Sequence, residues 1–153
     1  KGLDPEGMGA ITASLFPGSF EASDQGLVPS GWCTAKLGDV CDYLSRGLSP
    51  KYIENGGVLV INQKCIRDSS VDYIKARRHD PLPRSIDGPT LRIGDVLVIS
   101  TGVGTLGRVA QVLALPELAI VDSHVTVVRA GPSLKWTFLG VLVVTHSVFV
   151  MHI

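Results

Sequence analysis

The sequence predicts a β-rich α+β chain with one or two short helices. Three observations carry that expectation. Apolar residues cluster in short runs such as Val58–Ile61 and Val96–Ile99, bounded by Gly, Pro, Asn and Asp. Helical spacing is confined to a few positions: Leu37, Val40, Cys41 and Leu44 make one short face. A glycine loop, Gly102-x-Gly104-x-x-Gly107, joins two apolar runs that lie too close together for a parallel crossover. The chain has 153 residues, enough for one domain with a core. It is 45% hydrophobic and 18% charged, which excludes a disordered chain.

The elements follow in order. Residues 1–27 are rich in Gly, Ser, Asp and Glu and read as a linker or N-terminal arm. Val28 to Gly31 form a turn into a first strand, Trp32 to Lys36. Residues 37–44 make a short helix or turn, and Asp39 and Asp42 read as a pair on its surface. Arg46 to Tyr52 is a loop broken by Gly47 and Pro50. Asn55-Gly56-Gly57 is a turn, and Val58–Ile61 is a buried strand ending in Asn62, Gln63 and Lys64. Ile66–Asp68 and Val71–Ile74 continue as short strands or turns. Lys75 to Arg84 is a basic loop, because Pro81 and Pro83 oppose helix there. Three strands close the pattern: 95–100, 107–114 after the glycine loop, and 119–129 after a turn near Pro116. Residues 136–151 are apolar but short for a membrane span, and they read as a buried terminal segment.

The glycine loop matches the dinucleotide-binding fingerprint letter for letter, with Asp122 twenty positions after Gly102. That fingerprint needs a helix after its last glycine, whose free N–H groups hold the pyrophosphate. Only eight residues, Arg108 to Leu115, precede Pro116. The connection favours an antiparallel hairpin, with the glycines supplying positive φ. Other enzyme signatures are lacking. No Gly-x-Ser-x-Gly elbow or Walker lysine occurs. Asp122, Ser123 and His124 are neighbours, and strand neighbours point to opposite faces, so they make no triad. Cys33, Cys41 and Cys65 lack zinc or disulfide spacing, and the four histidines are scattered. No metal site is expected. Free thiols and the lack of an opening signal pattern suggest a reducing, cytoplasmic setting without a membrane.

Charge is balanced, with 14 basic and 14 acidic residues, but unevenly placed. From Asn62 to Arg84 there are six basic residues against three acids. Such a segment is either a phosphate-binding face or a solvated loop. Asn62 and Gln63 carry amides that suit adenine, although an Asn-Gln pair also caps strand ends. Lys64, Arg67, Arg77 and Arg78 suit guanine or phosphate, and Tyr52 and Tyr73 can pack on sugars or bases.

Taken together, Pro29-Ser-Gly-Trp32, Lys36-Leu-Gly-Asp-Val40, Arg46-Gly-Leu-Ser-Pro50-Lys-Tyr52, Val60-Ile-Asn-Gln-Lys64-Cys-Ile-Arg67, Leu91-Arg-Ile-Gly-Asp-Val-Leu97, Ser100-Thr-Gly-Val-Gly-Thr-Leu-Gly-Arg108 and Val121-Asp-Ser-His124-Val form an ordered set. The set resembles the target-recognition domain of the specificity subunit of type I restriction–modification enzymes, over about residues 15–135. The resemblance implies a DNA-methylase-specificity-type fold that reads one half of a split double-stranded DNA target and carries no catalytic site. It implies methyltransferase and restriction subunits as partners, with S-adenosylmethionine, ATP and Mg on them and no cofactor on this chain. A target-recognition domain over 28–135 and a truncated apolar segment over 136–153 follow. The second recognition domain and long helices of a whole subunit are lacking, so a fragment or truncated product is expected.

On this reading the DNA-binding residues are Arg46, Lys51, Tyr52, Asn62, Gln63, Lys64, Arg67, Lys75, Arg77, Arg78 and Arg84. Thr101, Gly102 and Thr105 join them through loop 101–107, whose N–H groups can form an anion nest. Two alternatives remain: a nucleotide-binding enzyme domain using Gly102–Gly107, and an assembly-only module that has lost DNA binding.

Overall fold

A computed structural model describes residues 9, 17–24, 26–32, 34–82, 86 and 90–145. The chain divides into two compact units, Lys1–Lys36 and Leu37–Ile153. The described part of the first is an antiparallel hairpin of β1 (Phe20–Ser23) and β2 (Gly26–Pro29), with Phe20 opposite Pro29 and Ser23 opposite Gly26. The strand expected over Trp32–Lys36 is absent among its described residues, which are exposed and belong to no strand. Cys33 and Arg84 lie outside the described residues.

The second unit holds two four-stranded sheets and shows the α+β class that the sequence predicts. The first sheet runs in the order β10-β9-β12-β3, all antiparallel: β10 is Val109–Gln111, β9 Val96–Ile99, β12 Val125–Ala130 and β3 Cys41–Arg46. The second runs β11-β5-β8-β4: β11 is Ala119–Val121, β5 Val58–Ile61, β8 Arg77–His79 and β4 Tyr52–Ile53. There β11 and β5 are parallel and the other pairs antiparallel. A small hairpin, β6 (Ile66–Arg67) and β7 (Ser70–Val71), and a 3-10 turn over Tyr73–Lys75 link the two strands β5 and β8.

Alternation explains the layering, since successive strand side chains face opposite ways. Leu59 and Ile61 of β5 share one core cluster with Leu97 and Ile99 of β9 and Val125 and Val127 of β12. Val96, Val98 and Val128 face the other way and pack with Leu139. Leu139 belongs to α2 (Trp136–Thr145), a ten-residue helix. Val58 and Val60 pack with Ile120, Leu48 and Tyr52 on the far face of the second sheet. Both faces of β5 and β9 are covered, so all four residues of each are buried. No described helix is long and apolar enough to cross a membrane.

Several sequence expectations are corrected. Residues 37–44 split into α1 (Leu37–Val40) and β3, because residues 41–46 hydrogen-bond along β12. Asp39 and Asp42 therefore sit on different elements. The expected strand 119–129 is two strands in two sheets, interrupted at Asp122–His124. The Asp122 carboxylate accepts the His124 N–H at 3.0 Å and turns the chain from one sheet to the other. The basic segment is not all loop, since Arg77 and Arg78 lie on β8. The glycine hairpin is found as expected: β9 and β10 are antiparallel neighbours, with Val98 opposite Val109.

One buried ion pair locks the first sheet to the turn before it. Asp95 is 1% exposed and takes two bonds from the Arg129 guanidinium, both 2.7 Å, and one from the Arg92 N–H at 2.8 Å. Arg129 also donates to the Thr90 carbonyl at 2.8 Å. The Asp95 hydrogen bonds, reinforced by its charge, hold the Arg129 pKa above its ordinary value despite burial.

Candidate nucleic-acid interface

Strand direction gathers three segments at one end of the second sheet. The parallel pair β5 and β11 ends with Ile61 beside Val121, so residues 62–64 and 122–124 leave the sheet together. Antiparallel β8 starts at that same end, with Arg77 opposite Val60. The Asp122 N–H donates to the Ile61 carbonyl at 3.0 Å and holds the two exits side by side.

Two elements of the first sheet reach the same place. Arg46, the last residue of β3, donates through Nε (2.8 Å) and Nη2 to the Ser123 carbonyl. Its approach depends on Gly47, where a Cβ would stand 2.1 Å from the Val121 oxygen. The glycine loop arrives from the other side. Thr101 Oγ1 lies 2.7 Å from His124 Nδ1, and Thr105 Oγ1 donates to Gln63 Oε1 at 3.4 Å. Gly102 has φ +119, a conformation that demands glycine, and a Cβ there would meet Gln63 Oε1 at 2.7 Å, a contact the flexible Gln63 side chain can relieve.

Tyr52 and Arg77 complete the cluster. The Arg77 guanidinium lies 3.5 Å from the centroid of the Tyr52 ring. Tyr52 pairs with His79, so Arg77 is its diagonal neighbour across β4 and β8. Burial raises the Tyr52 hydroxyl pKa, the Asp122 carboxylate adds to the rise, and the Arg77 cation opposes it. Asp122 is itself raised by burial, against the pull of the His124 N–H.

Asn62 behaves as a strand-end cap. It is buried, and its Oδ1 accepts the Lys64 N–H at 2.8 Å. Lys64 is exposed and makes no ion pair among the described residues. Next to this cluster runs an open groove of about 400 Å³ between the Arg67–Ser69 turn and Leu106–Val109 of the glycine loop. Asp68 and Ser69 both have positive φ, +50 and +58, in the two-residue link of the β6–β7 hairpin. Such a link favours a left-handed pair of residues. Arg67 pairs loosely with Asp68 at 3.7 Å, and Arg108 donates to the Gly104 carbonyl at 3.1 Å.

Among the described residues, Lys51, Lys75 and Arg78 are placed elsewhere and are paired. Lys51 bridges Asp80 at 3.1 Å near the opposite end of β8, and Lys75 bridges Asp72 at 2.8 Å. Arg78 makes a two-pronged pair with Glu117, 2.6 and 2.7 Å. Hydrogen bonding to Arg78 lowers the Glu117 pKa, as hydrogen bonding to Lys75 lowers that of Asp72. Reasoning by residue type missed Arg108 and His124 as members of the surface. Arg108 directly follows Gly107, which was the available signal. Nothing local marked Glu117 as the competitor for Arg78.

The arrangement offers hydrogen-bond donors and acceptors rather than a reacting centre. His124 Nδ1 faces Thr101, while the Asp122 carboxylate is engaged by a backbone N–H, so Asp122, Ser123 and His124 form no relay. No group of three or more His, Cys, Asp or Glu able to hold a metal occurs among the described residues. A strand, not a helix, follows the glycine loop, so the cradle a dinucleotide pyrophosphate requires is missing there. Cys65 is buried, and desolvation raises its thiol pKa, which leaves it protonated and unreactive.

The fold has solved counterparts over most of the chain. It is similar to the HsdS subunit from Thermoanaerobacter tengcongensis, with TM-score 0.60 and 20% identity, covering 88% of this chain and 31% of that one. A second similar chain comes from a structure explaining complex assembly and conformational transition of the type I R-M system, with TM-score 0.54, 23% identity, and 90% and 31% coverage. This chain thus spans 31% of the length of each. No protein-family model matches the sequence, and no curated protein does. At these identities the likeness is one of fold.

Proposed function

We propose that this chain binds double-stranded DNA in a sequence-specific way. It reads one half of a bipartite target as the specificity component of a type I restriction–modification complex. The observation that carries this is the convergence of Arg46, Tyr52, Gln63, Lys64, Arg77, Thr101 and Thr105 at one sheet end, on an HsdS-like fold. Amides and guanidinium groups read base edges, while ammonium groups and loop N–H groups hold phosphates.

The proposed reading body lies within residues 28–135. Gln63, Lys64, Arg67 and Arg77 face DNA, and Asn62 shapes the turn that presents them. The glycine loop, with Thr101, Gly102 and Thr105, contributes phosphate contacts, as does Arg84. Lys51, Lys75 and Arg78 contribute once their carboxylate partners are displaced. Catalysis belongs to methyltransferase and restriction subunits, which carry S-adenosylmethionine, ATP and Mg.

A titration against a pool of randomised duplexes, at low and physiological salt, tests the reading. Enrichment of one short half-site is expected. Salt-sensitive binding without enrichment reduces the surface to a phosphate binder and overturns sequence reading by this chain. Absence of binding at both salts rejects the proposal. Lys64→Ala should flatten the slope of log affinity against log salt by about one unit.

A further inference from the structure

Arg77 and Arg78 are adjacent on β8, yet their chemistry differs. Arg78 gives both its terminal nitrogens to Glu117. Arg77 makes no ion pair among the described residues, and it is still held in place, because its planar group lies on the Tyr52 ring. Stacking uses the face of a guanidinium and leaves its N–H edge free. Lys64 has a free charge but a flexible stem, and Arg46 is tied to the Ser123 carbonyl. Arg77 therefore combines a fixed position with a donor fork that no described residue engages.

A fixed donor fork matches one base edge. Guanine presents two acceptors in the major groove, O6 and N7, and a guanidinium meets both at once. Phosphate can also accept such a fork, so the two occupants differ in what they predict for sequence preference.

We propose that Arg77 reads a guanine in the half-site, with Tyr52 as the positioning residue that holds the guanidinium edge-on to the base. The proposal rests on the reading of this chain as a duplex-binding module. Tyr52 is itself anchored, since it packs on Val58, Val60 and Ile120. The platform is therefore part of the fold and exists before DNA arrives, which reduces the ordering needed on binding.

The test uses the full chain, the half-site enriched by the wild type, and variants of that site changed one base pair at a time. Wild type should prefer G·C over A·T at one position by roughly ten- to hundredfold. Arg77→Ala should lose that preference while keeping preferences at other positions. Arg77→Lys should keep the salt slope yet lose the preference, because an ammonium group lacks the planar fork. Tyr52→Phe keeps the ring and should retain the preference, whereas Tyr52→Leu should lose it. Replacing the guanine with 7-deazaguanine removes the N7 acceptor; it should weaken wild type and leave Arg77→Ala unaffected. Thermal melting of each variant checks that it is folded.

Uniform weakening by Arg77→Ala across all sites, with a flatter salt slope, would make Arg77 a phosphate contact and overturn the guanine assignment while the DNA-binding function stands. Unchanged binding by Arg77→Ala would also overturn it. Failure of the wild type to bind any duplex would remove both.

Discussion

Arg129 of the first sheet and the arginine pair on β8 of the second are used in opposite ways. In the first, Arg129 is mostly buried, and it is bound to Asp95 and the Thr90 carbonyl. In the second, Arg77 and Arg78 stand at the surface; one is stacked on Tyr52 and the other is paired with Glu117. Residue type is the same in all three cases. Depth and partner decide what each can do. An arginine paired to a buried carboxylate is part of the fold, and a ligand cannot recruit it without breaking that pair. A surface arginine with a free edge can exchange water for a ligand at little cost.

Arg129→Ala is the strongest test of the structural side. It leaves the Asp95 carboxylate buried without its cation, and losing one member of such a pair costs about 3–5 kcal/mol. Denaturant unfolding should show a drop of that size at neutral pH. A drop well under 1 kcal/mol would mean that Asp95 is rehydrated easily, and the contrast between the sheets would fail. Because Asp95 also accepts the Arg92 N–H, Asp95→Asn should be milder than Asp95→Ala.

How much of this was legible in the sequence follows from the range of each interaction. The glycine hairpin was legible because eight residues cannot make a crossover, and spacing alone decides that. Val58–Ile61 was legible as a compact apolar run between turns. The break at Asp122–His124 was obscured, since apolar residues on both sides let 119–129 pass as one strand. The signal was local after all, an Asp whose carboxylate caps a backbone N–H two residues on. For β3, the spacing of Leu37, Val40, Cys41 and Leu44 imitates a helix face, and only pairing with β12 reveals a strand. Sites were harder. Composition proposed the basic residues, but Arg78 is neutralised by Glu117, 39 positions away, and no local pattern carries that.

Asp122 lies where the two sheets meet and gives a smaller, pH-dependent test. Burial raises its pKa above the ordinary carboxylate value. The folded state therefore holds this proton more tightly than the unfolded chain. Stability from this group falls as pH rises from the ordinary carboxylate range, about 4, through the raised folded value, and the penalty persists above it. Asp122→Asn keeps an oxygen to accept the His124 N–H and carries no charge. It should be more stable than wild type near neutral pH, and the gap should close as pH falls below about 4. A gap that is constant with pH would show that the carboxylate ionises in the fold without penalty.

The smallest expected effect belongs to the Arg78–Glu117 pair. Both side chains reach solvent, with 32% and 42% of their side-chain areas exposed. Exposed pairs trade Coulomb attraction against side-chain entropy and salt screening, so they add little to stability. Glu117→Gln should leave thermal melting unchanged. Under the proposed duplex-binding role its effect should appear in DNA binding instead, because it frees Arg78 and removes a negative charge from beside β8. The salt slope of duplex binding should steepen, by about one unit if Arg78 then engages one phosphate. An unchanged slope in Glu117→Gln, with a reduced one in Arg77→Ala, would place the DNA path on the Tyr52 side of β8 alone. A loss of stability in Glu117→Gln would mean that this surface pair holds the fold as Asp95 and Arg129 do, and the division between the sheets would no longer hold.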